Sequence, residues 1–199
     1  MDRLHPVTFV PFIMSALWAC SDDAQDKSHV PAPTSRFEAV AAKPRADDAL
    51  SDFCDVHHEP GQGDKLALPT TDTKPSARAG GQWLNLWATW CKPCVEELPM
   101  IAKYQQSAKQ NGTAVTVHFV SVDATADIVS NFRKQHPGMP ETMRLTNSDD
   151  LAPYVERLGL GAQAGLPIHV FAGADGHIRC VRSGAVTESH LDTIAPLLR

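Results

Sequence analysis

Two things are scarce in this 199-residue sequence: long apolar runs and excess positive charge. Past residue 20, no stretch is apolar for the roughly 20 residues a membrane-spanning helix needs. The net charge is −5 with both signs interspersed, so there is no basic patch. That excludes nucleic acid as a natural partner and gives no attraction to anionic membrane surfaces. Aromatic residues make up only 7% of the chain, while an apolar content of 43% suits a soluble globular domain. Cysteine is limited to five residues. There is one Cys-x-x-Cys and no second, and no pair of histidines at ligand spacing. A structural zinc site needs such a second pair, so zinc is excluded and no metal is expected.

What is present centres on Trp83-Leu84-Asn85-Leu86-Trp87-Ala88-Thr89-Trp90-Cys91-Lys92-Pro93-Cys94-Val95-Glu96-Glu97-Leu98-Pro99. The stretch starts as an apolar run of strand type, breaks at the cysteine pair and continues as a helix. The first turn of a helix carries unpaired N–H groups and the positive end of the macrodipole. Both favour a thiolate, which is the nucleophile of disulfide exchange. Cys91 is therefore expected to be the attacking, more exposed thiol and Cys94 the buried resolving thiol. Lys92 places a cation beside Cys91, and Pro93 sits where a helix start tolerates a missing N–H.

Trp-Ala-Thr-Trp-Cys-Lys-Pro-Cys followed by Glu-Glu-Leu-Pro resembles the active-site segment of thioredoxin-like proteins, and within them the periplasmic TlpA/ResA-type thiol-disulfide oxidoreductases. Pro99 matches the proline inside the active-site helix of that superfamily. The resemblance runs from about Ser51 to the C-terminus. It implies an α/β thioredoxin fold: a central mixed sheet flanked by helices, with an N-terminal β extension. It also implies a redox enzyme with no cofactor, acting as a monomer on the disulfides of exported proteins. Electrons would come from a membrane thiol-transfer protein, with apocytochrome c haem-site cysteines or copper-site thiols as substrates.

Val7 to Cys20 is an apolar run of signal-peptide length. Its end, Leu17-Trp18-Ala19-Cys20, resembles a bacterial lipobox, although Trp18 is bulky and the only early cation is Arg3. The expectation is a signal over 1–19, a lipidated Cys20 as the sole membrane attachment, and a periplasmic location. The alternative is an ordinary secretory signal. Residues 20–50, rich in Ala, Pro, Asp and Lys, are expected to be a disordered tether spanning about 30 Å root-mean-square. The folded domain is then 51–199.

Within it, 52–56 and 65–68 are expected as strands, 82–88 as a central strand and 92–110 as the active-site helix ending at Asn111-Gly112. Strand 113–122, helix 123–135, a short extended piece at 143–146 and helix 149–158 follow. A hairpin of 166–171 and 177–182 turns at Gly173-Ala174-Asp175-Gly176, and an amphipathic helix closes the chain over 187–198.

Four further features bear on chemistry. Leu166-Pro167 before Ile-His-Val-Phe resembles the cis-proline segment beside the cysteine pair. The resemblance implies that Pro167, and Leu166 through its backbone, face the substrate together with Trp90. Asn85 stands where thioredoxin has a buried Asp, so an amide that cannot act as a base replaces the usual proton manager. Glu96 and Glu97 are the alternative candidates for that proton role, but their positions lead to the expectation of solvated helix residues. Cys54 and Cys180 remain. An oxidising compartment favours their pairing, and some TlpA-like proteins carry a comparable structural disulfide; the alternative is two separate buried thiols.

The competing functions lack their motifs. A thiol peroxidase needs Pro-x-x-x-Thr-x-x-Cys, which is absent. Copper-binding relatives of the Sco type carry three residues between the cysteines and a histidine ligand. Here there are two residues, and His169, His57 and His58 are expected to be a core histidine and a solvated loop.

Overall fold

The computed structural model describes residues 46–75, 79–161 and 163–199. The signal segment, Cys20 and most of the expected tether therefore lie outside the described residues. Among the described residues no helix is long and apolar enough to cross a membrane.

Among the described residues the first elements are helix α1 (Ala46–Phe53) and a two-residue strand β1 (Val56–His57). The helix starts inside the expected 20–50 tether and so moves the start of the folded domain ahead of residue 51. It also corrects the expectation of a strand over 52–56. The helix is anchored where Phe53 packs on Phe171 with ring centroids 5.8 Å apart and Arg182 covers its other side at 4.7 Å. The expected strand 65–68 is reduced to a single bridge between Lys65 and His177. Strand β2 (Gly81–Trp87) follows, then helix α2 (Lys92–Gln110), strand β3 (Val115–Ser121), helix α3 (Ala126–Gln135) and strand β4 (Met143–Arg144). Helix α4 (Leu151–Arg157), strands β5 (Ile168–Ala172) and β6 (Ile178–Ser183), and helix α5 (Leu191–Leu197) complete the order, α4 and α5 each entered through one 3-10 turn.

The six strands form one sheet in the order β1-β6-β5-β2-β3-β4. β2, β3 and β4 run parallel, while β5 is antiparallel to β2, and β6 to both β5 and β1. Every residue of β2 is buried, which is why its sequence is almost continuously apolar rather than alternating. Trp83, Leu84, Leu86 and Trp87 fill the space on its two faces and are the centre of the core. Burying a side chain of this size contributes about 1.5–3 kcal/mol each. Entry into β2 depends on two glycines: Gly80 has φ +67°, and a Cβ on Gly81 would overlap the Leu198 carbonyl.

The topology decides where chemistry can occur. β2 and β3 both end, at Trp87 and Ser121, on the same side of the sheet. β5 starts there too, because Ile168 pairs with Leu86. The carboxyl ends of parallel strands are the usual place for a site in an open α/β sheet.

Candidate active site

Cys91 lies between β2 and α2, four residues past the end of the strand. It is the N-cap of α2, with extended backbone (φ −87°, ψ 96°), and its N–H donates to the Ala88 carbonyl at 3.1 Å. Pro93 occupies the first turn. Cys94, one turn along, is joined to Cys91 by a disulfide with Cα atoms 5.3 Å apart. Cys91 is 6% exposed and Cys94 is wholly enclosed. The neighbouring Trp90, by contrast, is 71% exposed, an apolar ring left in water beside the more accessible sulfur. Lys92 is also exposed, but its Nζ lies 3.7 Å from Glu96 Oε1, so its charge is partly neutralised within the helix.

The Leu166–Pro167 peptide bond is cis. Pro167 leads directly into β5, so it stands at the end of the sheet from which β2 runs on to Cys91. A groove of about 440 Å³ begins at Leu166 and Ile168 and continues along Leu151 and Val155 of α4. A second cavity, of about 270 Å³, is bordered by Pro93, Met100 and Val186.

The structure corrects the expectation for Glu97. Glu96 is solvent-exposed, but Glu97 is only 4% exposed and is built into a polar cluster beneath the active-site turn. Asn85 Nδ2 donates to Glu97 Oε1 at 2.9 Å, and the Val186 backbone N–H donates to Oε2 at 2.8 Å. His169 Nε2 stands 3.3 Å from Oε1, close enough for an ion pair but outside hydrogen-bond geometry. The cluster follows from register: Asn85 on β2 faces His169 on β5 directly. Glu97 joins them from α2, three residues past Cys94 and thus on the same helix face. That spacing was the available sequence signal, because Cys94, Leu98 and Ile101 form the buried stripe of α2 and Glu97 sits within it. Asn85 offers its NH₂ edge to two acceptors, which leaves its Oδ1 buried without a partner.

Asp123 is the residue that sequence reasoning missed; it lay within the expected helix 123–135. It is buried just past β3, and the N-cap of α3 is Thr125 instead. Its carboxylate accepts from the Thr89 N–H at 3.0 Å, the Thr89 hydroxyl at 2.8 Å and the Ser121 hydroxyl at 2.7 Å. It thereby pins the turn two residues before Cys91.

Cys54 and Cys180 are joined by a second disulfide, Cα atoms 5.5 Å apart, far from the first in sequence. Cys180 is completely enclosed in β6 and Cys54 nearly so. Among the described residues no group of three or more His, Cys, Asp or Glu side chains is placed to hold a metal ion.

The redoxin family model matches residues 45–194. This chain belongs to the redoxin family. Among curated relatives, the redoxin is 27% identical over 124 residues to thiol-disulfide oxidoreductase ResA of Bacillus subtilis, covering 60% of this chain and 62% of the relative. A shorter match, 38% over 56 residues, is to ResA of Bacillus cereus and covers 28% of this chain and 31% of that one. The chain thus spans between about a third and just under two thirds of these relatives. Among solved structures, a thiol:disulfide interchange protein of the thioredoxin family from Chlorobium tepidum superposes with a TM-score of 0.53 at 20% identity, covering 72% of this chain and 99% of that one. A thiol-disulfide isomerase from Corynebacterium glutamicum gives 0.53 at 15% identity, covering 68% and 96%. At such identities the likeness is one of fold, and the fold of this redoxin is thioredoxin-like.

Proposed function

We propose that this redoxin is a thiol-disulfide oxidoreductase that reduces disulfides of polypeptide substrates through the Cys91/Cys94 couple. The observation that carries the reading is the Cys91–Cys94 disulfide at the start of α2, with the cis Leu166–Pro167 bond at the same end of the sheet.

In the reduced protein, the Cys91 thiolate attacks one sulfur of the substrate disulfide. The Cys91–substrate bond forms as the substrate's own S–S bond breaks, and the first substrate thiolate leaves and takes up a proton. Cys94 then loses its proton and attacks Cys91 Sγ. That step closes Cys91–Cys94 and expels the second substrate thiolate. Two electrons have moved to the substrate, and the protein holds the disulfide. The unpaired N–H groups and dipole of the first turn of α2 stabilise the Cys91 thiolate. Cys94 is enclosed and needs a base close by. Glu97, a buried carboxylate on its own helix face, fills that role, while Asn85 orients it. Trp90 and the groove beginning at Leu166 receive the substrate chain.

The same reading places the protein outside the cytoplasm. A signal over 1–19, attachment through a lipidated Cys20, a tether ending before α1 and a membrane thiol-transfer donor complete it. The Cys54–Cys180 bridge is then a structural disulfide suited to an oxidising compartment.

The test is substitution of each active-site cysteine. Cys91→Ser should abolish reduction of insulin and of glutathione disulfide. Cys94→Ser should accumulate a mixed disulfide with substrate at Cys91. Full activity in the Cys91 variant would refute the mechanism.

A further inference from the structure

The assignment of Glu97 as the base for Cys94 leaves His169 unexplained. It is a fully enclosed imidazole in the same cluster, and the exchange steps do not consume or release its proton. Its surroundings fix what it can do. Trp83 Nε1–H donates to His169 Nδ1 at 3.1 Å, and Asn85 Nδ2 lies 3.3 Å from the same nitrogen. An indole N–H is a donor only, so Nδ1 must be the accepting nitrogen. The ring proton is therefore on Nε2, the nitrogen 3.3 Å from Glu97 Oε1. Trp83 is itself enclosed and packs edge-on against the imidazole, with centroids 5.9 Å apart, and Phe171 stacks on it at 6.0 Å. The ring cannot turn away without leaving the indole N–H unpartnered in the core.

We propose that His169 is a positioning residue for disulfide exchange, whose Nε2–H, locked in place by Trp83, holds Glu97 as a carboxylate and so sets the pH range over which Cys94 resolves the mixed disulfide. The proposal rests on the reading of Glu97 as the acceptor of the Cys94 proton. In the disulfide form the Nε2–H is a donor without good geometry to any acceptor. A carboxylate that has to stay ionised in the core needs donors, and Glu97 has Asn85, Val186 and His169 within reach. Without the third, the neutral acid gains, and a neutral acid cannot take a proton from Cys94.

The other ionisable groups around the pair are few. Cys94 lies three residues before Glu97 on the buried side of α2. Arg182, the register partner of His169 on β6, directs its guanidinium to the Phe53 carbonyl at 2.6 Å. His190, on the turn before α5, lies close to both Arg182 and His169. Glu96 and Glu188 border the cavity over Glu97, and Tyr104 contacts Trp83 from the far side.

The experiment follows the two thiols separately in the full chain. Reduced protein mixed with 5,5′-dithiobis(2-nitrobenzoate) releases one chromophore as Cys91 attacks and a second as Cys94 resolves the mixed disulfide. Rates of both phases are recorded from about pH 5.5 to 9, bracketing the usual range of thiol and imidazole titration. His169→Leu should leave the first phase unchanged. It should slow the second several-fold near pH 6 and converge with the wild type at high pH. His169→Gln supplies an oxygen for Trp83 and an N–H for Glu97, and should restore the second phase to within about twofold. Second-phase profiles that superpose for His169→Leu and the wild type would overturn the proposal. So would a slowing that is equal at all pH values and not rescued by Gln, since that marks a packing role. Glu97→Gln separates the two readings. A slow second phase there with normal His169→Leu kinetics retires only the role of His169, and a normal second phase there retires both.

Discussion

Removing the Cys54–Cys180 bridge should lower stability sharply and leave catalysis intact. The bridge ties the end of α1 to β6 across a sequence separation of 126 residues. In the chain-entropy treatment, closing a loop of that length restricts the unfolded chain by about 5 kcal/mol, and loss of a native bridge costs about 2–5 kcal/mol in practice. The native contacts do not depend on it. Without the bridge, the 53–58 segment keeps the Arg182 donation to the Phe53 carbonyl at 2.6 Å and the Ser183 N–H to Asp55 at 2.6 Å. It also keeps the backbone pairs from Asp55 to Val181 and from His58 to Arg179, both at 2.9 Å. The effect therefore belongs to the unfolded ensemble. For a domain of this size 1 kcal/mol corresponds to about 2–4 °C, so the double variant Cys54→Ala/Cys180→Ala should melt about 4–20 °C lower. Circular dichroism melts of the oxidised proteins measure the shift, with insulin reduction as the control for function. A shift below about 2 °C, or loss of activity in a variant that still melts cooperatively, would refute the reasoning.

Two further outcomes are expected. Asp123→Ala removes the acceptor of three hydrogen bonds from Thr89 and Ser121 and leaves their donors unpaired, at a cost of about 1–3 kcal/mol for each buried donor left unsatisfied. Urea unfolding should show the destabilisation, and the first phase of thiol release should slow as the turn before Cys91 loosens. His190 is held below its usual value of 6.5, first by partial burial and then by the charge of Arg182. A histidine depressed in the folded state destabilises it as pH falls below the unfolded value, and the cost is complete below the folded one. His190→Gln should therefore lose less stability than the wild type as pH falls below 6.5, and match its trend above 7.

The cysteine turn, the long helix behind it and the β5–β6 hairpin were legible in the sequence because each is specified locally. The β2 run is apolar on both faces, Pro93 and Asn111-Gly112 bracket α2, and Gly173 to Gly176 mark the hairpin turn. Helix α1 was not legible. It is two turns long, and its Ala-Asp-Asp-Ala-Leu-Ser composition continues that of the preceding segment, so only tertiary packing of Phe53 distinguishes it. The 65–68 segment reads as a strand but finds one bridging partner, since β6 is already flanked by β1 and β5. The polar cluster failed for a different reason. Glu97 next to Glu96 reads as a solvated pair, and what buries it is a histidine and a backbone N–H from two other elements. Asp123 likewise turns toward Thr89 on a neighbouring connection, a contact that no local pattern encodes.

The central claim is that Cys91 and Cys94 form a reversible couple able to reduce other disulfides, whereas Cys54–Cys180 does not exchange. Its most direct test is the reduction potential of each bridge. The protein is equilibrated in graded dithiothreitol and glutathione buffers, quenched by alkylation and mapped by peptide mass. The account predicts that Cys91–Cys94 opens with a midpoint between about −270 and −200 mV, in the reducing part of the range for such folds, while Cys54–Cys180 stays closed to below about −300 mV. A Cys91–Cys94 bridge that resists reduction as strongly as the structural one, or that opens near −120 mV as an oxidant does, would contradict it.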